Sequence, residues 1–190
     1  MAKALEDLSC KPDSEERGYY ENIQRMKKLF KKIRTAILVM LTHNVALPLL
    51  RRIRKPLPFK FSEKELAALP AGTLGNDLYH FLRQRNFKLL THYSRHDMKH
   101  IVLGYDTTDK GEACLQCFMF GNGRVSFPVL ATVIYSIVTM PEHWKAMKTA
   151  YQKGKRSAPV HDLPWPNLLT ERTSDIQKYI SNGKKPGDKK

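Results

Sequence analysis

The chain opens with a polar stretch to Arg17 and then settles into a three- and four-residue rhythm of apolar positions. Ile23, Met26, Phe30, Ile33, Ile37, Met40 and Leu41 recur at that step, the period of an amphipathic helix. Pro48 is expected to kink or end it. Ser62 with Glu65 has capping-box spacing at the head of a short helix, and Thr73 is placed to cap the next, which presents Tyr79, Phe81 and Leu82. A helix from about His92 closes at Gly104, and another opens near Gly111 and breaks at 121–124. Residues 125–140 read as a buried apolar helix; their β-branched content would suit a strand, but no partner strand is evident. Pro141 opens a further helix, and 170–180 makes the last. The pattern predicts an all-α fold, a single-domain helical bundle of about seven helices with a long basic amphipathic N-terminal helix. Residues 1–18 are expected as a flexible leader, 19–181 as the helical domain and 182–190 as a disordered basic tail.

Charge adds a partner to this picture. With 33 Lys and Arg against 18 Asp and Glu in 190 residues the net charge is +15, which calls for an anionic partner. Eleven of the cations, and no acid, fall between Arg25 and Lys60. Such a face is either a solvated helix surface or a basic amphipathic surface resting on anionic lipid head groups, and the anionic membrane surface is the preferred reading. Nucleic acid ranks below both, because the cations flank an apolar block instead of interleaving with aromatics, and no nucleic-acid motif is present. That block, 36–50, carries His43, Asn44 and Pro48 and is shorter than the roughly 20 residues a membrane span needs. No secretory signal is recognisable, so a cytoplasmic protein, peripheral on the inner face of a membrane, is expected. The odd, sparse set Cys10, Cys114 and Cys117 points to a reducing compartment. Cys114 and Cys117 read as two small core residues in preference to a redox pair or half of a zinc site.

One stretch carries ligand chemistry. His96, Asp97 and His100 form His-Asp-x-x-His, and eleven residues intervene before Glu112. On a helix His96 and His100 lie about 40° apart around the axis, with Asp97 about 60° further round, so all three point into one arc. Two imidazoles one turn apart can grip a divalent ion, and a carboxylate from a following segment can close the site. Two neutral histidines and two carboxylates favour Zn²⁺, Fe²⁺ or Mn²⁺ over Ca²⁺. A zincin-type protease needs Glu where Asp97 stands, which weakens that comparison; ligand, outer-shell acceptor and base all stay open for Asp97. Tyr79, Tyr93 and Tyr105 are candidates to bring hydroxyls near the cluster or simply to pack.

Leu-Pro-x-Gly-Thr-Leu-Gly at 69–75, the Tyr-x-Phe-Leu helix at 79–82 and His-Asp-x-x-His with its Glu112 together resemble the coenzyme Q (ubiquinone) biosynthesis protein 4 family, over 62–180. The likeness is to a divergent, bacterial-type member: Tyr93-Ser94-Arg95 stands where the family has an Arg-Glu pair, and Cys114 and Cys117 follow where it carries a Lys. The resemblance implies an all-helical, membrane-peripheral protein whose His96, Asp97, His100 and Glu112 hold a divalent metal, usually zinc. It further implies work on a prenylated aromatic lipid, replacing the C1 carboxylate of a polyprenyl benzoate by a hydroxyl in a lyase-type oxidative decarboxylation. The alternative is a non-catalytic prenyl-lipid-binding scaffold for other quinone-biosynthesis enzymes, with a structural metal. A homodimer is the expected assembly, and 125–140 with 36–50 are the candidates to line an apolar tunnel for the prenyl tail.

Overall fold

The computed structural model of the chain describes residues 14–40, 59, 61–91 and 93–182. The chain divides into two units, Met1–Val45 and Ala46–Lys190. In the first, α1 runs over Ser14–Met40, 27 residues. It begins inside the segment expected as leader, where Ser-Glu-Glu suits a helix start. Its Tyr19, Met26, Phe30 and Ile33 are exposed. The earlier part of the leader, the kink at Pro48, the basic run at 51–55, His92 and the tail from Gly183 lie outside the described residues.

The second unit is built from α2 (Glu63–Ala68), α3 (Leu74–Gln84), α4 (Ser94–Leu103), α5 (Asp109–Gly121), α6 (Phe127–Thr139), α7 (Trp144–Arg156) and α8 (Thr173–Asn182). Among the described residues the fold is all-α, with eight α-helices and one isolated bridge between Thr73 and Arg172. Local chemistry starts these helices where the sequence places them. The Ser62 N–H donates to the Glu65 carboxylate at 2.6 Å and the Glu65 N–H returns to Ser62 Oγ at 3.3 Å, completing the capping box of α2. Thr73 caps α3 by accepting the Asn76 N–H at 3.4 Å.

The Gly-Thr-Leu-Gly turn has a structural role. Gly72 holds φ +79°, which favours glycine, and the N–H groups of Leu74 and Gly75 reach the carbonyls of Glu171 and Leu169 at 2.9 and 2.8 Å. A Cβ on Gly75 would press on the Leu169 carbonyl and on the Leu69 side chain. The turn thus ties the head of α3 to the connector ahead of α8, and Thr173 Oγ1 donating to Asp77 at 2.5 Å closes the joint.

The core gathers Leu66, Leu74, Leu78, Met98, Leu115 and Phe118 around Trp165 and Ile176, all fully buried. α5 and α7 touch backbone to backbone: a Cβ on Gly121 would overlap the Tyr151 carbonyl, and one on Gly154 the Phe118 carbonyl. Asn122, which the sequence marks only as part of a helix break, fastens the far end of α7. Its amide donates to the carbonyls of Gly154, Ser157 and Ala158 at 3.0, 3.2 and 3.0 Å, and its Oδ1 accepts the Val160 N–H at 2.8 Å. Two expectations change. Pro141 opens a 3₁₀ turn, Pro141–His143, and α7 proper starts at Trp144. Residues 125–140 do not form a buried helix: α6 buries Val129, Val133 and Ser136 but exposes Phe127, Leu130, Ile134, Ile137 and Val138, Phe127 by 79%. Uniform hydrophobicity hides which face is covered, because the sequence pattern gives no polar side to the helix.

Asn122→Ala is expected to lower unfolding stability by about 2 kcal/mol, since it strands several partly buried carbonyls and one N–H at once; urea denaturation checks this, and a change within about 0.5 kcal/mol would contradict it. Cys114 and Cys117 are buried and free, as expected of core residues, and burial pushes the Cys117 thiol up to about 11. Its folded value therefore lies above its unfolded one, so its contribution is fully present below the unfolded pKa and is lost as pH climbs toward 11. Stability measured in urea is expected to fall across about pH 9 to 11, at about 1.4 kcal/mol per pH unit for this group, and part of that slope should vanish in Cys117→Ala.

Candidate metal centre

The centre forms where α4 turns back into α5. Gly104 ends α4 in the left-handed region at φ +74°, so the next residues fold back toward the helix they have left. Tyr105 then offers its carbonyl to His100 Nδ1 at 3.0 Å. Thr108 caps α5 by accepting the Gly111 N–H at 3.2 Å, and Asp106 braces Thr108 through its N–H and hydroxyl at 3.0 and 2.5 Å. Gly111 must be glycine here, because a Cβ would overlap the Asp106 carbonyl and carboxylate. α5 starts at Asp109, earlier than Gly111, because Thr108 takes the cap position. This places Glu112 opposite His96 and His100.

The ligand atoms converge. Glu112 Oε1 lies 3.0 Å from His96 Nε2 and 2.9 Å from His100 Nε2, and the two Nε2 atoms lie 3.0 Å apart. Tyr105 can only accept, so His100 Nδ1 carries a proton and the Nε2 of a neutral His100 presents a lone pair to a carboxylate oxygen. A proton can bridge one such contact; a divalent cation answers all three. Two ligands about 2.1 Å from a common tetrahedral ion lie about 3.4 Å apart, so the three contacts of 2.9 to 3.0 Å put the atoms within reach of one ion after a small outward shift. The residues fit a metal, and His96, His100 and Glu112 form the one group among the described residues that could hold an ion.

The two sides of the site differ. The His100 side chain is 1% exposed, whereas His96 and Glu112 keep 31% and 28%, so the centre is rooted in the core and open on one edge. The Phe81 ring stacks on His100 at 6.1 Å and 22°, and the Arg85 guanidinium lies over the Phe81 ring, 4.0 Å from its centroid. Burial opposes charge on His100, but the hydrogen bond and charge of Glu112 outweigh it and raise its pKa. Burial likewise opposes charge on Glu112, and the hydrogen bonds from His100 and His96 hold its carboxyl far below the usual carboxylate range.

Asp97 stands apart from this group. Its carboxylate is not among the converging ligand atoms, and burial raises it to about 6 against the pull of His96 and His100. The tyrosines follow the packing alternative of the sequence reading. Tyr105 serves through its carbonyl while its ring packs on Phe118 at 6.2 Å, its hydroxyl pushed by burial up to about 12. Tyr93 meets His96 edge-on at 6.3 Å, and Tyr79 meets His80. The sequence did not single out the Tyr105 carbonyl or the Thr108 cap. The Asp-Thr-Thr-Asp run ahead of a helix is the signal that could have found the cap; a backbone acceptor leaves no signature.

No family model matches the chain, and no curated protein does. Among solved structures it is similar to the "Putative ubiquinone biosynthesis protein" of Nostoc punctiforme PCC 73102, with 23% sequence identity over 85% of this chain and 91% of that one and a TM-score of 0.53. At that identity the likeness is one of fold.

Glu112→Ala and His100→Ala are expected to lower zinc retained after dialysis by about tenfold or more, measured by elemental analysis on protein whose circular dichroism is unchanged. Cys114→Ser and Cys117→Ser should leave it unchanged; loss of metal in the cysteine variants would move the site elsewhere.

Proposed function

We propose that the chain is a metal-dependent protein of ubiquinone or related prenyl-quinone biosynthesis that acts at the C1 carboxylate of a polyprenyl benzoate. The observation that carries this reading is the open-edged triad of His96, His100 and Glu112, rooted in the core on one side and accessible on the other, since a catalytic site keeps a position free for its substrate. The likeness in fold to a protein named for ubiquinone biosynthesis and the His-Asp-x-x-His spacing agree with it. A bound divalent ion, most simply Zn²⁺, would supply Lewis acidity to the carboxylate or neighbouring phenolic oxygen.

The chain's own residues do the rest. His100, locked by Tyr105 and stacked on Phe81, fixes one ligand direction. His96 and Glu112 frame the exposed edge at which the ring would enter. Asp97 works from outside the ligand set. In the proposed reaction the C1–carboxylate bond breaks and carbon dioxide leaves, one oxygen atom of dioxygen bonds to C1 as the hydroxyl, and the other leaves as water with two electrons and two protons from an external donor. An apolar cleft of about 300 Å³ bordered by Cys117, Val133, Ile137, Trp144 and Met147 is the proposed seat of the prenyl chain, in place of a buried tunnel.

A second reading is favoured by the exposed face of α6, with Phe127 and Val138 both more than 70% exposed. Such a patch marks an interaction surface and suits a non-catalytic lipid-binding scaffold with a structural metal. Both readings propose a chain peripheral on a membrane; no helix among the described residues is long and apolar enough to cross one. The basic α1 is the proposed contact with anionic lipid.

Zinc-loaded protein supplied with dioxygen, a reductant and a 3-prenyl-4-hydroxybenzoate carrying a ¹³C carboxylate is expected to release labelled carbon dioxide, and His100→Ala is expected to release none above background. Stoichiometric binding of the same lipid with no release in the wild type would select the scaffold.

A further inference from the structure

α6 carries apolar side chains toward solvent as well as toward the core. Its exposed residues, Phe127, Leu130, Ala131, Ile134, Ile137 and Val138, are all apolar, and on a helix they fall within an arc of about 120°. Val129, Val133 and Ser136 occupy the buried side, and the helix contains no charged residue. The hydroxyls of Thr132 and Thr139 turn back on the helix itself, donating to the carbonyls of Pro128 and Tyr135 at 2.8 Å each. A contiguous apolar arc of this kind marks a surface that something covers.

α7 borders that arc with a different mixture. Trp144, Lys148, Tyr151 and Lys155 follow one another at steps of four, three and four residues, so they form one stripe along the helix. Trp144, Lys148 and Tyr151 border the apolar cleft of about 300 Å³ together with Val133 and Ile137 of α6, so the stripe and α6 meet across the cleft. The half-exposed Trp144 indole donates its N–H to the Ile137 carbonyl at 2.7 Å, in the last turn of α6. This fastens to the end of the apolar arc a ring of the type that collects where hydrocarbon meets water. Lys148 and Lys155 are exposed, and the Lys155 ammonium lies 6.0 Å over the Tyr151 ring.

Charge selects what covers the arc. From Gly121 to Ser157 there are six cations, Arg124, Lys145, Lys148, Lys153, Lys155 and Arg156, against one acid, Glu142. A two-fold contact between copies uses the same patch twice and would set this cationic margin against itself. An anionic bilayer meets both parts of the surface at once, with acyl chains for the arc and head groups for the lysines.

We propose that α6 and the adjoining stripe of α7 form a membrane-penetrating surface, with the α6 arc among the acyl chains of an anionic bilayer, Trp144 at their boundary, and Lys148 and Lys155 at the head groups. So seated, the cleft has its rim at the acyl chains. The proposal deepens the peripheral reading given above, in which α1 is the contact with lipid, and it requires neither the metal nor the reaction.

The two tryptophans of the chain supply the readout, since Trp144 is exposed and Trp165 is fully buried. The full chain is mixed with vesicles of phosphatidylcholine and phosphatidylglycerol whose phosphatidylcholine is brominated on its acyl chains. Bromine is expected to quench the fluorescence of the wild type and to leave that of Trp144→Phe unchanged. Vesicle affinity, measured by co-sedimentation, is expected to fall about tenfold or more in Lys148→Gln/Lys155→Gln and in Phe127→Ser/Ile134→Ser, each with unchanged circular dichroism. In Lys28→Gln/Lys32→Gln on α1, quenching at saturating vesicle is expected to persist. Vesicle binding without quenching of Trp144 leaves α1 as the contact and overturns the proposal alone; no binding to the vesicles overturns it together with the peripheral reading. A dimer found without vesicles and dissolved by Phe127→Ser/Ile134→Ser assigns the arc to a second copy and overturns it as well.

Discussion

A buried imidazole facing a carboxylate is the constraint on which this structure turns. His100 sits in the core with its side chain 1% exposed, and an unpaired polar group there is costly. One ring nitrogen is satisfied by the Tyr105 carbonyl, the other meets Glu112 Oε1 and His96 Nε2 within 3.0 Å. The connection between α4 and α5 exists in its present form to make both ends of that arrangement possible. Gly104 reverses the chain, Asp106 and Thr108 fix the start of α5, and Gly111 lets the Asp106 backbone lie against the helix. Short-range turn chemistry thus sets the geometry of a centre that a helical wheel alone would leave unfinished.

Much of this was legible in the sequence. The all-α class, the capping box at Ser62, the cap at Thr73, the stop at Gly104 and the convergence of His96, His100 and Glu112 all follow from spacing and from the hydrogen-bonding habits of particular residues. What was not legible has physical reasons. Asp97 shares the arc of His96 and His100 on a wheel, yet the ligand group closes without it, because Glu112 approaches from one side only and a wheel carries no information about the partner helix. Tyr105 acts through its backbone, and Asn122 works by gripping carbonyls 32 to 36 residues away; neither shows in a local pattern. The apolar segment at 125–140 gave its length and its helical state but not its environment, and half of its large side chains turned out exposed.

The same helix, α5, carries two unlike surfaces. Toward α4 it offers one carboxylate to two imidazoles, and toward α7 it offers Gly111, Cys114 and Lys110 to a hollow lined by both acids and lysines. The backbone contact of Gly121 with Tyr151 and of Gly154 with Phe118 holds α5 and α7 together at side-chain-free points, so the hollow has a rigid frame. The centre and the hollow meet at Tyr105, which gives its carbonyl to His100 and also borders the hollow. The exposed apolar face of α6 and the basic α1 give the chain two further surfaces of different character.

The central claim is that a divalent ion sits among His96, His100 and Glu112 with one edge open. X-ray absorption at the zinc edge of the zinc-loaded full chain tests it most directly. The account predicts a first shell of nitrogen and oxygen only, with the outer-shell signature of two imidazoles and an exchangeable light-atom ligand from solvent or added carboxylate. A sulfur shell, fewer than two imidazoles, or a spectrum indistinguishable from hydrated zinc would contradict it.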